Sequence, residues 1–315
     1  MSEYTDSRSQ PGQAPGGSDD DRELFMRNFA DDVLEAWEQT YDFLNEVMDK
    51  SIPAGKSDVF PVIGRKRDAT DHLPGEQILG GGIDHDEVEI TLDKFTVDSV
   101  FIAEIDELMA HYDLAGPYSR QLGQSLASVT NERIGRSMVL ASRVTDEPYP
   151  GGPVPSYYFD ASIATDASKI ETGIYAAHEY IKVNDIGGGM PTAWLPWPQY
   201  LLLSRYTGID TEATSGSGDR AAGRAGLVGG LNPRGTNSVP RTNVTTGPTK
   251  YRGNYTTTYG VVTNRNAVGR LRRRALKIQS IPKPDRLGTL MMASQLEGYG
   301  SIRPECSFEL ASATR

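Results

Sequence analysis

The sequence predicts an α+β fold organised around one long helix. Three observations predict it. Apolar residues alternate with polar ones in several short segments, such as Val88, Ile90 and Leu92 set between Glu89, Thr91 and Asp93. Elsewhere they recur at helical spacing, over the greatest length between Pro117 and about Arg143. With 33 Gly and 19 Pro in 315 residues, the chain also needs many turns, which excludes a plain helix bundle. A hydrophobic content of 37% suffices for one large domain or two modest ones.

Residues 1–20 are rich in Ser, Gly, Pro, Gln and Asp and offer little apolar surface to offset ordering entropy. From Asp21 the spacing becomes helical, with Phe25, Phe29, Val33 and Trp37 on one face. Val59-Phe60-Pro61-Val62-Ile63 reads as a strand. It is followed by Arg65-Lys66-Arg67-Asp68, then Pro74-Gly75, then Gly80-Gly81-Gly82. Two extended arms around a charged, glycine-containing tip make a long hairpin. A two-stranded hairpin is marginal alone in water, so this one is expected to pack on something else, a neighbouring subunit being the simplest candidate.

A strand follows through Val88, Ile90 and Leu92, and the chain stays extended from Phe95 to Ile102. A helix is expected from Glu104 to Tyr112. Gly116-Pro117 then breaks the chain, and Pro117 fits the first turn of the next helix. That helix carries two apolar stripes. Leu122, Leu126, Val129 and Leu140 form one; Ile134, Met138 and Ala141 form the other. Arg120, Arg133, Arg136 and Arg143 supply its polar remainder. At about 1.5 Å per residue it is a rod roughly 40 Å long.

The run from Pro148 to Pro155 is a candidate domain boundary. Beyond it, Asp166 can cap a helix carrying Ile170, Ile174, Ala177 and Ile181, ended by Gly187-Gly188-Gly189. Trp194-Leu195 reads as a strand, and Pro198 opens a helix to Tyr206. Residues 211–260, rich in Gly, Thr, Asn and Ser, hold short strands at best. Arg270 to Leu276 reads as a basic helix, and Ser301 to Ala311 as a final strand.

Formal net charge is −10, and it is concentrated at one end. Residues 1–50 hold 13 Asp/Glu against 4 Lys/Arg, leaving 29 acidic and 28 basic side chains in the remainder. A near-neutral body argues against a sequence-specific DNA reader, which needs a basic face. It does not argue against enclosing DNA, because a container that bound phosphates tightly would hinder DNA movement. Cys306 is the one cysteine, so neither an internal disulfide nor a cysteine-based metal site is expected. No apolar run approaches the roughly 18–20 residues needed to span a bilayer, and no signal peptide is evident. A soluble product of the bacterial cytoplasm, without membrane contact, is the expectation.

Motifs for catalysis fail one by one. Gly55-Lys56-Ser57 resembles part of a phosphate-binding loop, yet Lys50 stands where that loop needs its first glycine. Asp84-His85-Asp86-Glu87 has metal-capable side chains but no second histidine two or four residues away. His178-Glu179 lacks the second helical histidine of a zinc protease, and no Gly-x-Ser-x-Gly elbow is present. No enzyme activity, cofactor or metal is expected. Arg270, Arg272, Arg273, Arg274 and Lys277 make the one dense basic patch. It reads first as a solvated or ion-paired face, and alternatively as a partner for the acidic segment or for DNA.

The residues from Ser51 onward carry a family resemblance. Ser51-Ile52 with Gly55-Lys56-Ser57, Phe60-Pro61-Val62-Ile63-Gly64-Arg65 and Leu73-Pro74-Gly75-Glu76 closely resemble the extended-loop region of major capsid proteins of short-tailed, podovirus-type bacteriophages. The likeness continues through Glu89-Ile90-Thr91-Leu92-Asp93, Asp106-Glu107-Leu108-Met109 and His111-Tyr112-Asp113 to Tyr118-Ser119 and Gln121–Ala127. Weaker echoes are Trp194-Leu195-Pro196 with Tyr200, and Gly300–Glu305.

The resemblance implies the tailed-phage (HK-97-like) capsid fold. By it, residues 1–53 are an N-terminal arm and 54–87 an extended β-hairpin loop. Residues 88–149 form a peripheral domain with a spine helix over 117–143, residues 150–290 an axial domain, and 291–315 a C-terminal segment. The implied function is self-assembly into hexamers and pentamers that tile an icosahedral shell around phage DNA. A tail-tube or decoration protein is the alternative. Implied partners are further copies of the chain, a scaffolding protein, a portal protein, a cement protein and non-specifically packaged double-stranded DNA. Implied location is the virion capsid, assembled in the host cytoplasm. The expected intersubunit residues are Val59, Phe60, Val62 and Ile78, buried on a neighbour, with Arg65, Lys66 and Arg67 meeting its acidic groups. Leu122, Leu126, Val129, Arg133 and Arg136 are the site residues expected on the spine helix.

Overall fold

A computed structural model describes residues 31–38, 42–43, 45–64, 69, 71–72, 74–75, 77, 82–103, 105, 115–149, 151–206 and 223–314. It resolves into two compact units. The first comprises residues 1–41, 96–127 and 276–295; the second comprises 42–95, 128–275 and 296–315. The expected helix over Glu104–Tyr112 lies outside the described residues.

Four helices and thirteen strands are described. In chain order they are α1 (31–38), β1 (Met48–Ser51), β2 (Ser57–Ile63), β3 (His85–Thr91), β4 (Thr96–Ala103) and α2 (Ala115–Ser142). Then come β5 (Tyr157–Phe159), α3 (Ala167–Val183), β6 (Thr192–Pro196), α4 (Trp197–Ser204) and β7 (Asn232–Thr236). The last are β8 (Asn243–Val244), β9 (Gly253–Asn254), β10 (Thr258–Thr263), β11 (Val268–Lys283), β12 (Gly288–Ser301) and β13 (Ser307–Ala311). One sheet runs in the order β1-β11-β12-β4 and another in the order β5-β13-β10-β6-β7.

In the first unit, β12 pairs antiparallel with β4 from Gly288↔Ala103 to Gln295↔Thr96. Leu287 takes a left-handed φ of 48° in the turn that leads into β12. Gly288 is needed beside it, since a Cβ there would lie 2.4 Å from the Ile102 carbonyl oxygen. Helix α1 crosses α2 at Gly123, where a Cβ would lie 2.4 Å from the Val33 carbonyl oxygen. Val33, Ala36 and Trp37 of α1 are buried, as are Leu122 and Leu126 of α2.

In the second unit, β10 sits between β13 and β6, antiparallel to both, while β5 and β7 pair parallel at the outer edges. Helix α3 packs its predicted stripe of Ile170, Ile174, Ala177 and Ile181 on this sheet, with Leu195, Val262, Phe308 and Leu310 in the same core. Asp166 caps it as expected, accepting from the Ser168 N–H at 2.9 Å. Asn184, not the following glycines, closes the helix.

Two expectations are corrected. Residues 270–276 are not helical: they lie in β11, whose start pairs parallel with β1 from Met48↔Gly269 to Ser51↔Arg272. Arg, Leu, Ala and Lys all favour helix, but strand pairing overrides that weak local preference. The final strand is also interrupted, because β12 ends at Ser301 and a 3₁₀ turn over Pro304–Cys306 precedes β13.

Candidate assembly surfaces

The hairpin is formed by β2 and β3, which pair antiparallel from Ser57↔Thr91 to Ile63↔His85. Alternation splits β2 into two faces. Phe60 and Val62 turn inward and join Ile52, Ile90, Tyr149, Leu271 and Ile302 in a core cluster of the chain itself. Val62 is fully buried. This corrects the expectation that Phe60 and Val62 are buried on a neighbour. A strand shows alternate residues to opposite sides, and these two face the chain's own core. Pro61 and Ile63 point the other way and are exposed, with Ile63 52% accessible, while Val59 is half-buried. Arg65, Lys66, Arg67 and Ile78 lie outside the described residues.

Across the ladder, β3 presents an acidic outer strand. His85, Asp86, Glu87 and Glu89 are exposed, as is Asp84 before them. The ladder is tied down at both ends: Arg303 donates to the Ile63 carbonyl at 2.8 Å, and Lys50 pairs with Asp58 at 2.8 Å. That pairing holds the Asp58 carboxyl below its ordinary pKa.

Helix α2 serves the fold more than an exposed face. Leu122 and Leu126 are buried and Val129 is half-buried. Arg136 pairs with Glu132 one turn earlier, at 2.7 Å. Arg133 reaches Asp93 at 3.5 Å, and Asp93 also meets Lys250 and the Tyr251 hydroxyl, each at 2.7 Å. Burial and the Asp93 charge push the Tyr251 phenol far above its ordinary pKa, so it stays a hydrogen-bond donor.

The basic run is dispersed by its strand geometry. Arg270 is buried and paired with Glu297, with one contact at 3.1 Å, and Glu297 also accepts from the Tyr299 hydroxyl. It is therefore corrected from a surface cation to a core one. Arg272 pairs with Asp49 at 3.2 Å, Arg273 donates to the Gly55 carbonyl at 2.9 Å, and Arg274 stacks over Phe95. Lys277 remains exposed.

Two features were not read from the sequence. One is a clamp on fully buried Glu309. Arg143 grips it at 2.7 and 3.0 Å, and Thr258 donates to it at 2.6 Å. Glu309 stands between Phe308 and Leu310 in a strand buried on both faces, and a charge at such a place signals a partner. The other is a cavity of about 600 Å³ beside α4. Trp194, Trp197 and Tyr200 line it with Arg224, Leu227 and Arg234. These residues lie in three separate segments, so no local pattern gathers them.

A family model described as "Gp10A-like: Major capsid protein" matches residues 59–311. The major capsid protein of Escherichia phage T7 is 40% identical over 106 residues, 33% of this chain and 30% of that protein. The match thus spans under a third of the curated relative's length. The capsid structure of the cyanophage P-SCSP1u is similar with 28% identity and a TM-score of 0.76, covering 85% of this chain and 87% of that one. The mature capsid of bacteriophage PhiM1 shares the fold at 16% identity and a TM-score of 0.71, with 87% of each chain covered. A fold that aligns with capsid shells over most of its length and a family match over residues 59–311 converge: the chain belongs to the Gp10A-like family of major capsid proteins.

Proposed function

We propose that this chain is the building block of an icosahedral phage shell, assembling as hexamers and pentamers around packaged double-stranded DNA. The family match over residues 59–311 carries this reading. The solved structures reported above are capsids, so the tail-tube or decoration alternative has no observation in its favour. In this reading residues 88–149 act as the peripheral domain and 150–290 as the axial domain around the local symmetry axes. Assembly takes place in the bacterial cytoplasm with a scaffolding protein and a portal.

The hairpin braces neighbouring copies with its outer face alone. Its inner face is already buried in the chain's own core. What it offers a neighbour is Val59, Pro61 and Ile63 with the acidic row of β3, and Arg65, Lys66, Arg67 and Ile78 are the further contacts of this reading. Charged rims of this kind set register more than affinity. Many weak contacts on a closed lattice still add to a large total. Deleting residues 66–80 tests the bracing. The subunit should fold, and negative-stain microscopy after co-expression with scaffolding protein should show no closed shells. Closed shells at normal yield would refute it.

A further inference from the structure

The hairpin is a sheet of two strands, and among the described residues no third strand pairs with β2 or β3. Each outer edge is a place where an extended segment of another chain can add itself by main-chain hydrogen bonds. Which groups face the β2 edge follows from the register. Leu92 donates to the Lys56 carbonyl at 2.8 Å, and Gly64 donates to the Asp84 carbonyl at 2.8 Å. Residues 56 and 64 thus turn their main-chain groups toward β3, and in an antiparallel pair every second residue between them does the same. Ser57, Val59, Pro61 and Ile63 turn theirs outward.

At Val59, Pro61 and Ile63 the chain has already used or removed a group that an added strand needs. The Val59 N–H donates to Asp58 Oδ1 at 2.8 Å, and the Val59 carbonyl accepts from Lys50 at 2.9 Å. Pro61 has no N–H. The Ile63 carbonyl accepts from Arg303 at 2.8 Å. Lys50 comes from β1 and Arg303 from the link between β12 and β13, so distant parts of the chain converge on one edge. Anchoring the hairpin accounts for Lys50 and Arg303 but not for Pro61, which is exposed and bears on the edge alone. The β3 edge is treated in kind. Asp86 Oδ1 accepts the Glu87 N–H at 2.8 Å, and Lys250 donates to the Thr91 carbonyl at 2.8 Å. Exposed Asp86, Glu87 and Glu89 would also meet like charges on the same edge of a second copy.

We propose that Lys50, Asp58, Pro61 and Arg303 guard the β2 edge against strand addition by other copies of this chain. Separate subunits are thereby kept from stacking edge to edge. The guard acts on the unassembled chain, whether or not the hairpin later braces a shell.

The test is the full-length double variant Lys50→Met with Pro61→Val. It frees the Val59 carbonyl and supplies an outward N–H at residue 61. The Lys50 side chain is 39% exposed and its pair with Asp58 is a surface one, so the fold should survive, as circular dichroism will read. At concentrations where the unaltered chain sediments as a monomer, sedimentation velocity should show self-association of the variant strengthened by about tenfold, from two restored main-chain bonds per contact. Hydrogen exchange should find the new residue-61 amide protected in the associated form and open in the monomer. A folded double variant that associates no more than the unaltered chain would overturn the guard. So would stronger association with the residue-61 amide still exchanging freely, because the contact would then run through side chains. Should the double variant not fold, Pro61→Val alone, at an exposed position, is judged by the same two readings.

Discussion

Glu309 shows how a single charge can govern a core. It is fully buried, and its carboxylate meets Arg143 twice and Thr258 once. Removing one partner of such a pair leaves an uncompensated buried charge, which costs about 3–5 kcal/mol. Arg143→Met should therefore lower the unfolding free energy of the unassembled subunit by about that much, read by denaturant titration. The double change Arg143→Met with Glu309→Met should recover most of the loss, because an apolar pair of similar volume carries no desolvation penalty. Cys306 offers a second residue-level test. Burial, with Glu305 nearby, pushes its thiol up to about 12. Only about one molecule in ten thousand then holds the reactive thiolate at pH 8. Alkylation should be negligible in the native subunit and rapid once denaturant exposes the residue, so its rate reports unfolding. Fast alkylation of folded subunits would contradict the burial.

At the scale of elements, β2 carries two different tasks on adjacent residues. Val62 faces the chain's own core and Ile63 faces outward. Val62→Ala should cost about 1–3 kcal/mol of subunit stability, from lost burial and the cavity left behind. Ile63→Ser should leave the unfolding midpoint nearly unchanged, since surface changes usually fall within about 0.5 kcal/mol. It should instead raise the subunit concentration needed for assembly, measured by light scattering. Equal effects of both changes on stability would refute the two-faced assignment. The same strand marks the limit of what the sequence disclosed. Apolar content located β2, and the turn residues after it indicated a hairpin, but which residues serve the chain's own core depends on Ile302 and Leu271, far along the chain. The stripes of α2 and α3 were legible because helical spacing is local. Strand β11 was not, because its arginines and leucines favour helix, and only pairing with β1 and β12 makes them extended. The cavity beside α4 was invisible for the same reason: Trp197, Arg224 and Arg234 meet only after β6 and β7 have paired.

Over the whole molecule, the uneven charge fixes the sign of a salt effect. Residues 1–50 carry nearly all of the net −10, and the remainder is close to neutral. In the proposed shell, closure gathers the acidic residues 1–50 of many copies. Their mutual repulsion opposes closure, and added salt screens it and strengthens the shell. The melting midpoint of assembled shells should therefore rise between about 0.05 and 0.5 M salt, as the screening length shrinks from about 14 to about 4 Å. Replacing Asp19, Asp20 and Asp21 by Asn should raise the midpoint at low salt and flatten its dependence on salt. Differential scanning calorimetry on shells of both forms reads the two slopes. A midpoint that falls with salt in the unaltered shell would show that attraction, not repulsion, governs these charges.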